Sequence, residues 1–302
     1  MVRGREFDGV ATARWLLGAA QVGAGLTVEQ VSLLQNLVRG YFGIDADVTA
    51  LEPAEPTEVP AAADDDAARR RLVDLLVVVE FCRHPSDSAQ ADRVERYARA
   101  LNVDEPLLAV ARDALTAGQA QVMADWSRFR ESLVHEPGVE VADEQLAAQL
   151  RALAGCPPES LGRAYFDFYD RWGIKFPGEP GGGDVSLVAH DFGHVLAGYD
   201  PDAPGELALQ AMLTSATGFE HHFSGLVASL ALYEAGKFDI LELTPKVGAL
   251  ERPGAAAELA EAFRRGEQCT GDFSAIDHLA RANEPLDTVR AACGIRSRAE
   301  TR

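Results

Sequence analysis

The sequence predicts an all-α protein, built as an N-terminal helical bundle joined to a C-terminal helical domain. Apolar residues recur every three or four positions through most of the 302 residues, which is the period of an amphipathic helix. The alternation typical of half-buried strands does not occur in the N-terminal half, and capping residues precede several periodic stretches. A chain of this length is sufficient for two domains.

The N-terminal bundle is predicted over residues 1–135. Residues 7–43 contain two helices, and the second opens at Thr27, which has capping-box spacing with Gln30. Residues 52–66 are rich in proline and acid, which predicts a flexible linker or an exposed loop. Further helices are predicted at 68–84, 88–103 and 106–133.

The C-terminal domain is predicted over residues 141–296, and its first helix ends at Gly155 before two prolines. A glycine-rich loop at 178–184 lacks the GxxxxGK[ST] pattern, and no strand precedes it. It is therefore not a phosphate-binding loop. The predicted helices of this domain cover 142–155, 160–176, 185–197, 205–235 and 255–266.

Charge and cysteine content exclude several classes of function. A formal net charge of −19 argues against a nucleic-acid partner, because a phosphate backbone needs a basic surface. The four cysteines are scattered without CxxC spacing, which indicates a reducing compartment and argues against a thiolate metal site. No apolar run approaches the roughly 20 residues that span a bilayer. We therefore expect a cytoplasmic protein.

The stretch HDFGH at 190–194 places two histidines and an acid in a mostly apolar predicted helix. At about 100° per residue, His190, Asp191 and His194 fall within an arc of about 100°. Burial of these groups is unfavourable unless they have partners, and a divalent cation satisfies all three. Glu206 stands in the first turn of the next helix, beyond a short reversing loop, and is predicted to join them. The alternative is a hydrogen-bonded polar cluster without a metal.

The two histidines have the spacing of the HExxH zinc proteases, in which the intervening Glu is the general base. Here that position holds Asp191, whose side chain is one methylene shorter. Asp191 is therefore interpreted as a ligand, or as a partner of a ligand, rather than as a protease base. Nitrogen and oxygen donors predict one divalent metal ion, with Zn preferred and Fe, Mn or Co compatible.

Around these residues the sequence resembles the ubiquinone (coenzyme Q) biosynthesis proteins that are fourth in the usual numbering of that pathway. The family signature is HDxxH followed, after eleven residues, by Glu, and it is reproduced here. The stretch LGRAYFDF at 161–168 and the tail from 262 to 295 also resemble family segments. The likeness covers residues 145–296, and the matching signature residues are His190, Asp191, His194 and Glu206.

The resemblance implies an all-helical protein that holds a divalent metal beside an apolar crevice for a prenylated lipid. Family members associate with the membrane face and with other quinone-biosynthesis enzymes, and are linked to replacing a ring carboxyl group by hydroxyl. The sequence departs from the family at Gly193, where Trp is usual, and at His221 and His222, where apolar residues are usual. These departures concern the substrate more than the metal.

Four residues are candidates for the pocket around the metal. Gly193 opens space beside it. His221 lies about 60° from Glu206 if their helix is unbroken, and the alternatives are a bend at Gly218 and a histidine on the helix surface. Arg163 is a candidate for contact with an anionic head group, with a solvated surface position as the alternative. Tyr165 belongs to an aromatic-rich turn, where core packing is the alternative to lining a lipid crevice.

The N-terminal half resembles the tellurite-resistance protein B-like helical bundles through its paired-helix pattern at 75–108. The acidic turn of those bundles is replaced here by residues 82–87, so no functional residue is carried over. We expect a helical docking or regulatory domain.

Two functional hypotheses follow. In the first, the chain is an enzyme that decarboxylates or hydroxylates a prenylated aromatic or quinone-type ring, with His190, Asp191 and His194 as catalytic residues. In the second, the chain is a non-catalytic scaffold that binds a prenylated lipid. A variant of the first hypothesis is an enzyme of a specialised-metabolite pathway that uses the same fold. Both hypotheses predict an apolar or prenylated small-molecule ligand. Other biosynthetic enzymes or a second copy of the chain are further partners, at a cytoplasmic location that includes the membrane periphery.

Overall fold

The computed structural model describes residues 8–60, 66–85, 87–102, 143–183, 185, 187–217, 222–236, 245–296 and 298. These residues form eleven α-helices and no strand, so the predicted all-α class is confirmed. None of the described helices is both long and apolar enough to cross a membrane. The predicted helix at 106–133 and the pocket candidate His221 lie outside the described residues.

The helices are numbered in chain order over the described residues. The first four are α1 (Gly9–Ala20), α2 (Val28–Asn36), α3 (Asp66–Phe81) and α4 (Ser88–Ala100). The next three are α5 (Glu144–Ala152), α6 (Leu161–Trp172) and α7 (Leu187–Ala197). The last four are α8 (Ala203–Ala216), α9 (Phe223–Tyr233), α10 (Ala255–Gly266) and α11 (Leu286–Ala292).

The described residues divide into two compact units. The larger unit takes its residues from within 1–132 and 202–267, and the smaller unit from within 133–201 and 268–302. This division differs from the boundary near residue 141 that the sequence predicts. The reason is that α10 packs against α2, and α9 against α3, so the segment 202–267 completes the core of the N-terminal helices.

Both helices predicted within residues 7–43 are present as α1 and α2. The capping box is also present, because the Gln30 amide N–H donates to Thr27 Oγ1 and the Thr27 amide N–H donates to Gln30 Oε1, each at 3.2 Å. The local pattern at the start of α2 was therefore sufficient to place it.

Close helix packing organises the larger unit, where α8 contacts both α9 and α10. The C-terminal end of α10 approaches the backbone of α8 at Gly266. A Cβ atom added there would lie 2.2 Å from the carbonyl oxygen of Met212, so only glycine permits this approach. Leu259 and Phe263, also on α10, are buried side chains of this unit.

The described part of the predicted linker, residues 52–60, is a loop whose side chains are mostly exposed. Its backbone is held by hydrogen bonds from two helices. Arg14 Nε donates to the Glu52 carbonyl at 2.8 Å, and the Tyr97 hydroxyl donates to the Ala54 carbonyl. The composition of this segment indicated its exposure. It did not indicate that α1 and α4 hold the backbone.

The single helix predicted over 205–235 is wrong. The chain forms α8 and α9 instead, and His222, immediately before α9, has a positive φ of 62°. A residue in this left-handed region cannot continue a right-handed helix. The predicted angle of about 60° between His221 and Glu206 requires an unbroken helix, so it does not apply to this chain.

The smaller unit contains α5, α6, α7 and α11. Helix α6 begins where Ser160 Oγ accepts the Arg163 amide N–H at 3.2 Å, and it ends at Gly173, which has a φ of 62°. Helix α7 contacts both α6 and α11. The helix that carries the HDFGH stretch is therefore packed on two sides within this unit.

Candidate metal centre

The three predicted ligands that lie on α7 are close together. His190, Asp191 and His194 each offer one ligand atom, and these atoms all lie within 4.8 Å of one another. The two histidines are four residues apart, so their rings project from the same face of the helix, one turn apart. The group contains the nitrogen and oxygen donors that a divalent cation requires.

His194 is held in one orientation by the turn that follows α7. Its Nδ1 atom lies 3.1 Å from the carbonyl oxygen of Tyr199, and the side chain is buried. Because a carbonyl oxygen only accepts hydrogen bonds, Nδ1 carries the proton, and Nε2 of the neutral ring then carries a lone pair. The ring also stacks on Phe168, with centroids 5.8 Å apart. This arrangement is common for histidines that bind metals through Nε2.

The spacing between the two imidazoles fits a shared ion. The Nε2 atoms of His190 and His194 are 3.1 Å apart. Two Zn–N bonds of about 2.0–2.1 Å at a tetrahedral angle place the nitrogens about 3.3 Å apart. In the metal-free alternative, the same spacing accommodates one proton donated by His190 Nε2 to His194 Nε2.

Asp191 is held by a buried phenol. The Tyr169 hydroxyl, on α6, donates to Asp191 Oδ2. Burial raises the pKa of Tyr169, and the neighbouring Asp191 carboxylate raises it further, so the hydroxyl keeps its proton and remains a donor. A carboxylate offers about four acceptor positions, so this hydrogen bond is compatible with coordination of a metal.

Aromatic rings pack the opposite side of α7. Phe192 stacks on Tyr165 with centroids 4.0 Å apart, and on His278 with centroids 4.9 Å apart. His278 Nε2 lies 2.9 Å from the Phe273 carbonyl, and burial lowers its pKa. The lone histidine 278 is therefore a packed core residue, and this ring stack fixes the rotation of α7.

A cavity of about 380 Å³ within the smaller unit is lined by His194, one of the three residues of the metal group. Its walls come from α6, the C-terminal end of α7, the turn after α7, and α11. They include His194, Phe168 and Tyr199, together with the guanidinium-bearing side chains of Arg171 and Arg290. The cavity therefore offers aromatic and charged surface directly beside one of the candidate ligands.

Glu206 has the predicted local position in the first turn of α8. Asp202 caps this helix, because its side chain accepts the Gly205 amide N–H at 3.0 Å. Burial raises the pKa of Tyr233, and the Glu206 carboxylate raises it further. Glu206 belongs to the larger unit, whereas the α7 group belongs to the smaller unit. Its predicted role as a ligand stays a prediction.

The pocket candidates occupy different environments. Tyr165 is fully buried in the aromatic stack, and Gly193 is buried on α7 between the two histidines. Arg163 is half-buried, and it donates to Asp167 at 2.8 Å and to the Ala154 carbonyl at 3.2 Å. These contacts favour the packing alternative for Tyr165 and the surface alternative for Arg163.

The structure adds three residues that the sequence analysis did not assign to the site. Tyr169 contacts Asp191, Tyr199 contacts the His194 ring, and Arg290 contacts the end of α7. A signal existed for Tyr169, because a tyrosine in an apolar helix face needs a hydrogen-bond partner for its hydroxyl. The sequence carried no comparable signal for Tyr199 or Arg290.

No protein-family model matches the sequence, and no curated protein matches it either. The resemblance to the ubiquinone biosynthesis family therefore stays a prediction that depends on the residues quoted above. The site is defined by its own geometry, as a His–Asp–His group on one helix of an all-α protein.

Proposed function

We propose that this chain binds one divalent metal ion through His190, Asp191 and His194, and that its function depends on this ion. The observation that carries the proposal is the pairing of a tautomer-fixed His194 with His190, at an Nε2 to Nε2 distance of 3.1 Å, beside the Asp191 carboxylate. Zinc is the preferred ion for this donor set, and Fe, Mn or Co are compatible.

The finer proposal concerns the substrate and follows the family resemblance. We assign the protein to the modification of a prenylated aromatic or quinone-type ring, in which a ring carboxyl group leaves as CO₂ and one oxygen atom of dioxygen takes its place as hydroxyl. The second oxygen atom leaves as water, with two electrons and two protons from an external reductant, and this reaction would require one of the redox-active ions of the compatible set, Fe, Mn or Co. When bound, the ion supplies a Lewis acid that polarises a phenol or carboxylate oxygen of the ring. The cavity that His194 lines supports this assignment, because Phe168 and Tyr199 provide aromatic surface in its walls.

The other functions of the site are assigned to individual side chains. His190 and His194 bind the metal ion and so orient the substrate that contacts it. Asp191 is the group assigned to accept a proton from the substrate. Tyr169 holds Asp191 through its hydroxyl, and Phe168 covers one face of the His194 ring.

The second candidate is a non-catalytic scaffold that binds a prenylated lipid and other biosynthetic enzymes. One observation favours it, namely that Tyr169 already donates to Asp191. A carboxylate so engaged is a weaker base, which suits a ligand better than a proton acceptor. In the scaffold, the ion is structural or anchors a head group.

The metal proposal is tested by elemental analysis of full-length protein purified without added metal. We expect close to one equivalent of a divalent metal in the wild type, and a loss of most of it in His190→Gln and His194→Gln. His84→Gln, in the larger unit, is the matched control and should keep its metal. A metal-free wild type that also takes up no zinc on titration would contradict the proposal.

The choice between enzyme and scaffold is made with protein loaded with zinc or iron and a prenylated hydroxybenzoate, in the presence of oxygen and a two-electron reductant. Release of CO₂ with multiple turnovers, lost in His194→Gln, would support the enzyme. Binding of the unchanged lipid, seen by native mass spectrometry, would support the scaffold. If the protein neither binds nor converts this compound, the substrate assignment fails and the metal proposal stands separately.

A further inference from the structure

The last turn of α7 contains His194 and depends on contacts from outside the helix. The final carbonyl groups of a helix have no partner within it. The His194 carbonyl accepts the amide N–H groups of Gly198 and Tyr199, at 2.8 and 3.2 Å. Gly198 has a φ of 75°, the left-handed conformation that reverses the chain after a helix. The reversal returns the Tyr199 carbonyl to the ring of His194.

The next two carbonyls, those of Val195 and Leu196, are bound by one side chain. Arg290 on α11 donates from Nη2 to the Val195 carbonyl and from Nε to the Leu196 carbonyl, each at 3.0 Å. Its third nitrogen, Nη1, lies 3.3 Å from Asp287. A planar guanidinium matches two neighbouring oxygens, and its positive charge interacts favourably with the negative end of the helix dipole.

A second arginine binds the same turn. Arg298 donates from Nη1 to the Gly198 carbonyl at 3.2 Å, and its guanidinium lies over the Tyr199 ring, 5.1 Å from the centroid. Two arginines of the C-terminal segment therefore bind three carbonyl groups at the end of α7 and in the turn that orients His194, and one of them also covers the Tyr199 ring. The strongest of these contacts is the two-pronged one from Arg290, since Arg298 makes a single hydrogen bond to a more exposed carbonyl.

We infer that Arg290 is a positioning residue for the metal site, acting through the last turn of α7 to fix the orientation and tautomer of His194. This inference rests on the proposed metal site. Without Arg290 the carbonyls of Val195 and Leu196 lose these donors, and the last turn frays. The Tyr199 carbonyl then no longer selects the Nδ1–H form, and the Nε2 lone pair is presented to the metal for only part of the time.

The test compares Arg290→Met and Arg290→Lys with Arg281→Met in the full-length protein. Arg281 is the matched control, because its guanidinium is similarly buried and forms a bidentate pair with Glu284 in the same C-terminal segment. Zinc affinity is measured by competition with a chromophoric chelator. We expect Arg290→Met to weaken zinc binding about 10-fold, as is typical when a residue behind a ligand is lost. Arg290→Lys keeps the positive charge but not the two-pronged guanidinium, so its zinc affinity should lie between those of Arg290→Met and the wild type. The zinc affinity of Arg281→Met should match that of the wild type.

A second measurement needs no metal. Long-range ¹H–¹⁵N spectra of the imidazole rings at pH 8 distinguish the two neutral tautomers. We expect a single Nδ1–H form for His194 in the wild type and in Arg281→Met, and a mixture in Arg290→Met. Retention of a single Nδ1–H form in a folded Arg290→Met, with zinc affinity within threefold of the wild type, would overturn the inference. If the wild type does not bind zinc, the proposed function fails, and the tautomer spectra still decide the role of Arg290.

Discussion

Two carboxyl groups, one in each compact unit, show how different partners change what an acid does inside a helical protein. Glu234 follows α9 in the larger unit, and Asp191 lies on α7 in the smaller unit. Glu234 is almost completely buried, and Asp191 is partly buried. Their neighbours differ in charge and in the kind of atom that they present.

Glu234 is surrounded by groups that favour its neutral form. Burial raises its pKa to about 7, and the charges of Glu251 and Glu29 add to this, while the hydrogen bond from the Leu250 amide at 2.7 Å opposes it. A buried acid that faces other acids binds a proton near neutral pH.

Asp191 has neighbours of another kind. Two imidazole nitrogens lie within 4.8 Å of its ligand atom, and a phenol that retains its proton donates to it. Lone pairs on neutral nitrogens stabilise a metal ion that a carboxylate alone would bind weakly. The comparison indicates that the type of neighbouring atom, rather than burial of an acid, distinguishes a metal site from a protonated core residue.

The largest effect that we expect is stabilisation of the smaller unit by metal. Zinc at about 1,000 times its Kd should raise the free energy of unfolding by about 4 kcal/mol, because the ion binds the folded state. Scanning calorimetry of the full-length protein, with and without zinc, measures this shift. His194→Gln should lose the shift.

The control for this prediction is Glu234→Gln, which removes the other buried carboxyl group. It should keep the full zinc-dependent shift. An equal shift in the wild type and in His194→Gln would show that zinc binds elsewhere, and the distinction between the two acids would then fail.

The next effect concerns pH and Glu234. Between about pH 4.5 and 7 the folded protein keeps a proton on Glu234 that the unfolded chain has lost, so the free energy of unfolding falls as pH rises through this window. The loss is up to about 3 kcal/mol, and it is complete above pH 7. Glu234→Gln cannot ionise, so its stability relative to the wild type should increase between pH 5 and 8.

Urea unfolding at four pH values between 5 and 8 measures this difference. Glu52→Gln, which changes an exposed acid in the same unit, should follow the wild type at every pH. Parallel curves for the wild type and Glu234→Gln would mean that Glu234 is ionised in the folded state throughout.

Features that depend on neighbours along the chain could be predicted from the sequence. The capping box of α2 and the His190–Asp191–His194 group each lie within two turns of one helix, where a fixed angle per residue sets the geometry. The all-α class follows from the same periodicity, because it is repeated along the chain.

Features that depend on packing between distant segments could not be predicted. The Tyr169 contact with Asp191 spans 22 residues, and the Arg290 contact with Val195 spans 95. The break between α8 and α9 could not be established from the sequence, because Gly218 only allows a bend and apolar residues continue on both sides of it. The association of residues 202–267 with the N-terminal helices likewise depends on shape at helix faces, to which composition is insensitive.

The smallest effect that we expect sharpens the comparison at Asp191 itself. Tyr169→Phe removes the hydroxyl donor and keeps the ring, which stacks on Phe176 at 4.5 Å. Zinc affinity should fall about 10-fold, because partners of metal ligands typically contribute that much. The free energy of unfolding of the metal-free protein should fall by about 1 kcal/mol, because one hydrogen bond is lost. Tyr41→Phe, at a buried tyrosine of the larger unit, should leave zinc affinity unchanged. If Tyr169→Phe binds zinc as tightly as the wild type, the two imidazoles alone define the site, and Asp191 needs no fixed orientation to contribute.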